Sequence, residues 1–298
     1  MMRIALFLLT NFAIIIVASL VLNLLGVGSY ISESGLNVTN LLVFCLIYGM
    51  IGSFVSLFLS KWLAKFATKT QVIKQPSNND EIWLVECVRS LAQRSNIGMP
   101  EVGVFPANEA NAFATGWNRN SALVAVSSGM LNRYSKPEIE AVMAHEISHV
   151  ANGDMVTLAL VQGIINAFVM FFARVIGYVV DRVVLKNEER LGIGYYVTVI
   201  LAEIVLAILA SIIVMWFSRK REFRADEGAA YLVGAPSMIA ALAHLQREVG
   251  MPSEMPQSLN AFGIAQGANE GFSLAKLFSS HPPLEKRIEV LQNFTGVR

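Results

Sequence analysis

Long uninterrupted stretches of apolar residues alternate with stretches of mixed polarity along this chain. Four of the apolar stretches approach or exceed the roughly 20 residues that a helix needs to cross a bilayer. They cover residues 4–25, 41–59, 155–180 and 193–217. The first two contain no charged residue, whereas the third contains Arg174 and the fourth contains Glu203. The pattern predicts a mainly α-helical integral membrane protein with about four transmembrane helices, arranged as two hairpins.

The chain between the two hairpins has the mixed polarity of a soluble protein. Apolar positions at helical spacing predict an amphipathic helix over residues 80–96. Three short segments then carry the residue types of strands, and WNRNS supplies a turn between the last two. We expect these strands, at 102–105, 110–117 and 122–126, to form a small antiparallel meander with one open edge.

A second helix is predicted at the sequence SKPEIEAVMAHEISHVANGD. Ser135 stands three residues before Glu138, which is the spacing of a capping box, and Pro137 falls in the first turn. Asn152 and Gly153 form a suitable left-handed stop. The residues between these signals therefore form a helix of about four turns.

Charge is sparse and unevenly placed. The net charge is +1 and only 15% of the residues are charged, so no basic field indicates nucleic-acid binding. Basic residues follow the second and fourth spans, whereas the loop over residues 26–38 has none. The positive-inside rule therefore places both termini and the polar segments in the cytoplasm. We assign 1–60 and 155–217 to transmembrane hairpins, and 61–154 and 218–298 to the two parts of one cytoplasmic domain.

Two of the four histidines lie four residues apart on the second predicted helix. Residues i and i+4 share a helix face, so His145 and His149 can converge on one ion. Glu146 follows the first histidine and can reach a water at that ion without being a ligand. This HExxH spacing is typical of a zinc site with its own general base, and it predicts metal-assisted hydrolysis.

A catalytic zinc ion needs a third protein ligand. The acidic and histidine side chains that could supply it are Asp154, Glu203, Glu222, Asp226, Glu227, His244 and His281. Glu222 and Asp226 share a helix face, so one could bind the ion while the other orients a histidine. They could equally form a solvated acidic stripe beside neighbouring arginines. A two-span hairpin between His149 and Glu222 returns the chain to the same side of the membrane.

Four motifs, in this order, resemble those of the HtpX-type membrane zinc metalloproteases, which are bacterial relatives of the CAAX prenyl proteases. They are NAFATG at 111–116, AVMAHEISHVANGD at 141–154, REFRADEGAA at 221–230 and SSHPPLEKRI at 279–288. The resemblance implies a cytoplasmic α+β domain of the zincin-like (gluzincin) type that holds one Zn²⁺ per chain. It implies Glu222 as the third ligand beside His145 and His149, and Asp226 as the residue that orients a ligand histidine.

The resemblance also implies a mechanism and substrates. Glu146 would act as general base, and His281 and Arg287 are the candidates for stabilising the developing oxyanion. The substrate would pair with the edge strand at Asn111, Ala112, Phe113 and Ala114.

The implied role is the cleavage of misfolded or damaged membrane proteins at the bacterial inner membrane during stress, with self-cleavage as a further expectation. The alternatives are a CAAX-type processing enzyme and a non-catalytic metal-dependent membrane protein.

Overall fold

The computed structural model describes residues 16–24, 31–32, 35–187, 191–248 and 281–296. Most of the first predicted span and residues 249–280, which include a stretch rich in Gly, Ser, Asn and Gln, lie outside these residues. The chain divides into two compact units, each built from two separate stretches. We call them the helical unit (Met1–Leu57 and Leu158–Val214) and the mixed unit (Phe58–Thr157 and Met215–Arg298).

The described elements follow one another in a mainly helical order. The helices are α1 (16–24), α2 (Val38–Thr68), α3 (Asn79–Arg94), α4 (Ser128–Arg133), α5 (Lys136–Asn152), α6 (Asp154–Val179), α7 (Ile193–Val233), α8 (Ala235–Arg247) and α9 (Leu284–Gln292). A π-helical segment, Val180–Val184, continues α6. The strands are β1 (Ile31–Ser32), β2 (Gly35–Leu36), β3 (Gln71–Val72), β4 (Glu101–Phe105), β5 (Ala112–Gly116) and β6 (Ala122–Ser127).

Three helices of the described residues are long and apolar enough to cross a membrane. They are α2, α6 with its π-helical continuation, and α7, and they contain the second, third and fourth predicted spans. Each helix extends beyond the apolar stretch that predicted it, most of all α7, which continues 16 residues past residue 217. Only residues 16–24 of the first predicted span are described, and they are helical.

Close helix packing holds the helical unit together. A Cβ atom at Gly49 of α2 would lie 2.6 Å from the carbonyl oxygen of Gly163 on α6, so the two backbones nearly touch. The hydroxyl of Ser53 donates to the carbonyl of Ala159 beside this contact. The two charged residues of the apolar stretches form an ion pair, with Arg174 Nη1 2.9 Å from a carboxylate oxygen of Glu203. Pairing reduces the cost of charge in hydrocarbon.

The sheet of the mixed unit contains both parallel and antiparallel strand pairs. The predicted antiparallel meander was therefore wrong. Its strand order is β3-β4-β6-β5. β5 and β6 are antiparallel as expected, but β4 pairs with β6 in parallel. The segment after β4 crosses the end of β6, where Ala107 accepts a hydrogen bond from Gly129, and this crossing carries β5 to the far edge. Long-range bonds of this kind leave no periodic signal in the sequence.

The local signals of α5 are confirmed. The backbone N–H of Ser135 donates to Glu138 at 2.8 Å, as a capping box requires, and Gly153 ends the helix with φ 69°. Helix α3 begins in the same manner, because the side chain of Asn78 accepts from the backbone N–H of Glu81. α5 packs on β5 and lies against α3 and α8, so it is the central helix of the mixed unit.

Candidate metal centre

Small residues let α5 approach α7 closely. A Cβ atom at Gly228 would lie 2.5 Å from the hydroxyl oxygen of Ser148, so glycine is required for this contact. Ala225 and Ala229 of α7 and Ala144 of α5 are fully buried. This approach brings the face of α5 that carries the histidines against the face of α7 that carries the acidic residues.

Three buried side chains converge at this contact. Nε2 of His145 and Nε2 of His149 are 3.1 Å apart, and they lie 3.5 and 3.3 Å from the two carboxylate oxygens of Glu222. The ligand atoms of the three residues all lie within 4.8 Å of one another. The structure thus brings together the three donors that the sequence singled out, although they come from helices separated by a long hairpin.

Asp226 orients the first histidine. Its Oδ1 lies 2.9 Å from Nδ1 of His145, and Arg287 donates one hydrogen bond to each carboxylate oxygen, at 2.7 Å to Oδ1 and 2.8 Å to Oδ2. Asp226 and Arg287 are both completely or almost completely buried. The guanidinium of Arg287 therefore acts on His145 through Asp226, and this bidentate geometry fixes the position of the carboxylate.

Asp154 orients the second histidine in the same way, a contact that the sequence analysis missed. Its carboxylate lies 2.7 Å from Nδ1 of His149, and Arg224 binds the other oxygen at 3.1 Å. Asp154 follows the left-handed residue Gly153 and is the first residue of α6, where its carboxylate contacts the last turn of α5. The Gly-Asp pair directly after the HExxH helix was the available signal.

The arrangement of donors and acceptors fits a cation. A carboxylate only accepts hydrogen bonds, so each histidine must carry a proton on Nδ1. In the neutral imidazoles, both Nε2 lone pairs then point into the same buried space as the Glu222 carboxylate. Two imidazole nitrogens and a carboxylate oxygen form the donor set of a catalytic zinc site, and the carboxylates at Nδ1 are the usual outer partners.

The site also favours the positively charged form of both histidines, because the pKa of each is raised. Burial lowers the pKa of His149, but the charge of Glu222 and the hydrogen bond to Asp154 outweigh it and raise the pKa to about 9. Burial likewise opposes the charged form of His145, yet hydrogen bonds to Asp226 and Glu222 raise its pKa. The surrounding carboxylates therefore stabilise either protons or a metal ion at this point.

Glu146 lies beside the ligand cluster on α5 and is 98% removed from solvent. Burial raises the pKa of its carboxyl above the ordinary range, and the neighbouring histidines offset that effect only in part. A carboxylate with a raised pKa accepts and returns a proton more readily near neutral pH. Glu146 is therefore the candidate for a general base at this centre.

His281 precedes α9 and reaches the same centre. Its Nδ1 lies 2.7 Å from a carboxylate oxygen of Glu222, and the residue is buried. The remaining acidic and histidine candidates have other surroundings. His244 stacks on Tyr134 with ring centroids 3.9 Å apart and contacts Glu138, while Glu227 is exposed.

The predicted substrate strand lies at one edge of the described sheet. Its register pairs Ala112 with Val126 and Ala114 with Val124. Asn111 is buried, and its side chain accepts a hydrogen bond from the backbone N–H of Ala112 at 2.9 Å. The ring of Phe113 packs on Phe105 in the core. Any peptide contact made by this strand would therefore come from its main chain.

Comparison with known proteins gives a consistent family relationship. The model of "Peptidase family M48" matches residues 78–295. A protein named Protease HtpX from Hahella chejuensis is 63% identical over 98% of this chain and 99% of its own length. One of the same name from Pseudomonas fluorescens Pf-5 is 59% identical with the same coverage.

A solved structure supports the fold. The crystal structure of Ste24p from S. mikatae matches with a TM-score of 0.65 and 18% sequence identity. The match covers 97% of this chain and 64% of that longer chain, and at this identity it concerns the fold alone. The family model and the full-length relatives agree with the buried His-His-Glu cluster described above, and the chain therefore belongs to peptidase family M48 and is a metalloprotease.

Proposed function

We propose that this metalloprotease is a zinc endopeptidase of the bacterial inner membrane that cleaves misfolded or damaged membrane proteins. The convergence of His145, His149 and Glu222, with Glu146 beside them, is the observation that carries the proposal. The three residues would hold one Zn²⁺ per chain. The likeness to Ste24p concerns the fold alone, so it gives no separate support for CAAX processing.

The proposed reaction divides the work among the residues around the centre. Bound zinc would supply Lewis acidity for attack on the scissile carbonyl. Glu146 takes a proton from the attacking water and returns it to the leaving amine. His281 would meet the oxyanion through Nε2, which donates a hydrogen bond in the imidazolium form because Nδ1 is already bonded to Glu222. Arg287 holds His145 in place through two bonds to Asp226, and its Nη1 group, 3.9 Å from a Glu222 oxygen, remains a second candidate donor to the oxyanion.

The proposed topology keeps four spans and a cytoplasmic active site. Residues 1–60 and 155–217 form two transmembrane hairpins, and 61–154 with 218–298 form the protease domain. Lys61 and Lys65 follow the apolar part of α2, and Arg219 and Lys220 follow that of α7, which supports this orientation. Proteolysis of sealed vesicles of either orientation tests it, and digestion of the protease domain only from the periplasmic side would contradict it.

The proposed substrates are extended segments of membrane proteins that have lost their fold. β5 is a sheet edge among the described strands, and main-chain pairing to such an edge selects for an extended backbone more than for a sequence. Loose sequence selectivity would also permit cleavage of the chain by another copy or by itself.

Zinc removal and return test the proposed activity. We expect protein purified in detergent with a chelator to leave casein intact, and added Zn²⁺ to restore cleavage, because the Lewis acid is then present. Mass spectrometry of the same incubation reports on self-cleavage. Casein and membrane-protein fragments that both remain intact after zinc has demonstrably bound would contradict the protease proposal, and an intact chain would contradict self-cleavage.

Replacing Asp154 with asparagine is expected to weaken zinc binding by roughly 10- to 100-fold, since an outer carboxylate orients and polarises its histidine. Competition with a coloured chelator measures the affinity. Arg224→Gln serves as the matched control, because Arg224 binds the same carboxylate but its side chain is 57% exposed, so it should have a smaller effect. Equal affinity in the wild type and Asp154→Asn would exclude an orienting role for Asp154.

A further inference from the structure

The turn between β5 and β6 carries an exposed aromatic residue. Trp117 directly follows β5 and is 42% exposed, and the polar residues Asn118, Arg119 and Asn120 complete the turn. The ring does not belong to the buried cluster that packs on the sheet, which contains Phe105, Phe113 and Leu123. The residues around Trp117 therefore indicate which surface its ring contacts.

Trp117 lies against a membrane helix within the mixed unit. Its ring stacks on Phe58 of α2, with centroids 5.0 Å apart and an angle of 14° between the planes. Phe58 falls at the end of the apolar stretch that predicted the second span, and it is 62% exposed. Trp62, one turn further along α2, is 53% exposed and stacks on Phe66. Aromatic rings are enriched at this level of a membrane helix, where the bilayer meets water.

Arg119 of the same turn lies near the start of a second membrane helix. A Cβ atom at Gly153 would lie 3.8 Å from its Nε, and α6 begins at the next residue. Arg119 is itself exposed. The turn is therefore close to the points where α2 and α6 pass between apolar and polar surroundings. We call Phe58, Trp62, Trp117 and Arg119 the aromatic patch.

We propose that the aromatic patch binds the lipid interface of the bilayer, with the rings among the headgroups and Arg119 on lipid phosphate. Phe58 and Trp62 are exposed on α2, a helix long and apolar enough to cross a membrane, and the cation of Arg119 complements the anionic headgroups of phosphatidylglycerol. Tryptophan suits this place because its ring is apolar and its indole N–H remains hydrated.

The placement has a consequence for substrate entry, and this step rests on the proposed function. β5 ends at Gly116, directly before the patch, so the C-terminal end of the proposed substrate strand would lie at the membrane surface. A polypeptide segment that leaves the bilayer could pair with β5 without first diffusing into the cytoplasm. The preferred substrates are therefore unfolded segments adjacent to a membrane anchor.

Fluorescence of Trp117 tests the lipid contact in the full-length protein. The chain has four tryptophans, so W62F, W83F and W216F together leave Trp117 as the single emitter. The protein is reconstituted in vesicles of phosphatidylcholine and phosphatidylglycerol that carry brominated acyl chains. We expect bromine near the headgroups to quench Trp117 more strongly than bromine near the bilayer centre.

Two single-tryptophan variants serve as the negative and positive controls for lipid quenching. One retains only Trp83, which lies on α3 of the mixed unit and should escape lipid quenching, and the other retains only Trp216, which lies near the end of the apolar part of α7 and should be quenched. Trp117 emission that behaves like Trp83 at every bromine depth overturns the proposal. Shielding from aqueous acrylamide without lipid quenching also overturns it, because a protein partner would then cover the patch.

A competition between substrates tests the consequence for entry. For Trp117→Glu in vesicles, we expect the ratio of cleavage rates, membrane-anchored unfolded segment over casein, to fall about tenfold, a change equivalent to about 1.4 kcal/mol. Trp117→Phe should preserve the ratio. An unchanged ratio in Trp117→Glu contradicts the entry route, whereas wild-type protein that cleaves neither substrate contradicts the proposed function instead. If Trp117→Glu fails to fold, the quenching experiment by itself decides whether Trp117 contacts lipid, because that experiment retains Trp117.

Discussion

Glu146→Gln is expected to lower the rate of peptide hydrolysis by roughly 100- to 10,000-fold, the usual contribution of a positioned general base. Glutamine has nearly the same shape, but its amide cannot accept and return the proton. Glu146 is not one of the three converging donors, so zinc should still bind with nearly wild-type affinity. Rates on an unfolded protein, measured beside the zinc content of each preparation, check both parts.

The matched control for this experiment is Glu140→Gln. Glu140 lies on the same helix and is only partly buried, so the substitution removes one charge without touching the centre. We expect its activity to stay near that of the wild type. Activity above one tenth of wild type in Glu146→Gln would contradict the assigned base, and a loss of zinc would assign Glu146 a binding role instead.

Arg287→Met is expected to destabilise the mixed unit by about 3–5 kcal/mol, the usual cost of removing one partner from a buried ion pair. The guanidinium is fully buried and makes two bonds to Asp226, whose charge would then lack its strongest partner. Loss of these bonds should also weaken zinc binding, because Asp226 orients His145. Denaturant unfolding of the metal-free protein in detergent measures the stability without a contribution from zinc.

Two further variants make this prediction specific. Lys286→Met removes a charge from the exposed side of the same helix and should change stability by less than about 0.5 kcal/mol. Asp226→Asn combined with Arg287→Met removes both buried charges, so we expect it to recover part of the stability lost in Arg287→Met. A double variant that is as unstable as the sum of the two single variants would show that the pair is not coupled.

The sequence alone predicted the HExxH part of the metal centre. It predicted only some of the residues that complete the ligand set or orient the histidines. His145, Glu146 and His149 occupy one α-helical segment, and their mutual geometry follows from the helix repeat. Glu222 was one of seven candidates on spacing, and only resemblance selected it. Asp154 was named as a possible ligand, and its contact with His149 Nδ1 was not predicted, because a residue just past the helix end has no fixed direction on the helix face.

In the sheet, too, local features were predicted from the sequence and long-range ones were not. The strand positions followed from residue type and turn signals to within two residues, as at β4 and β5. Their order did not, because parallel pairing of β4 with β6 depends on where the crossing segment is held by Ala107 and Gly129. The short strand β3 was also missed, since two residues carry too little pattern to be recognised.

By itself, the sequence determined the apolar helices, the capped helix that carries HExxH, and the chemistry available on that helix. These features depend on residues within a few positions of one another, through helix periodicity and local hydrogen bonds. Only the tertiary structure decided that Glu222 meets the two histidines, that Asp226 with Arg287 and Asp154 with Arg224 orient them, and that Trp117 stacks on α2. Apart from the contact of Asp154 with His149, those contacts join residues far apart in the chain, and close packing, such as that of Gly228 on Ser148, sets which side chains meet.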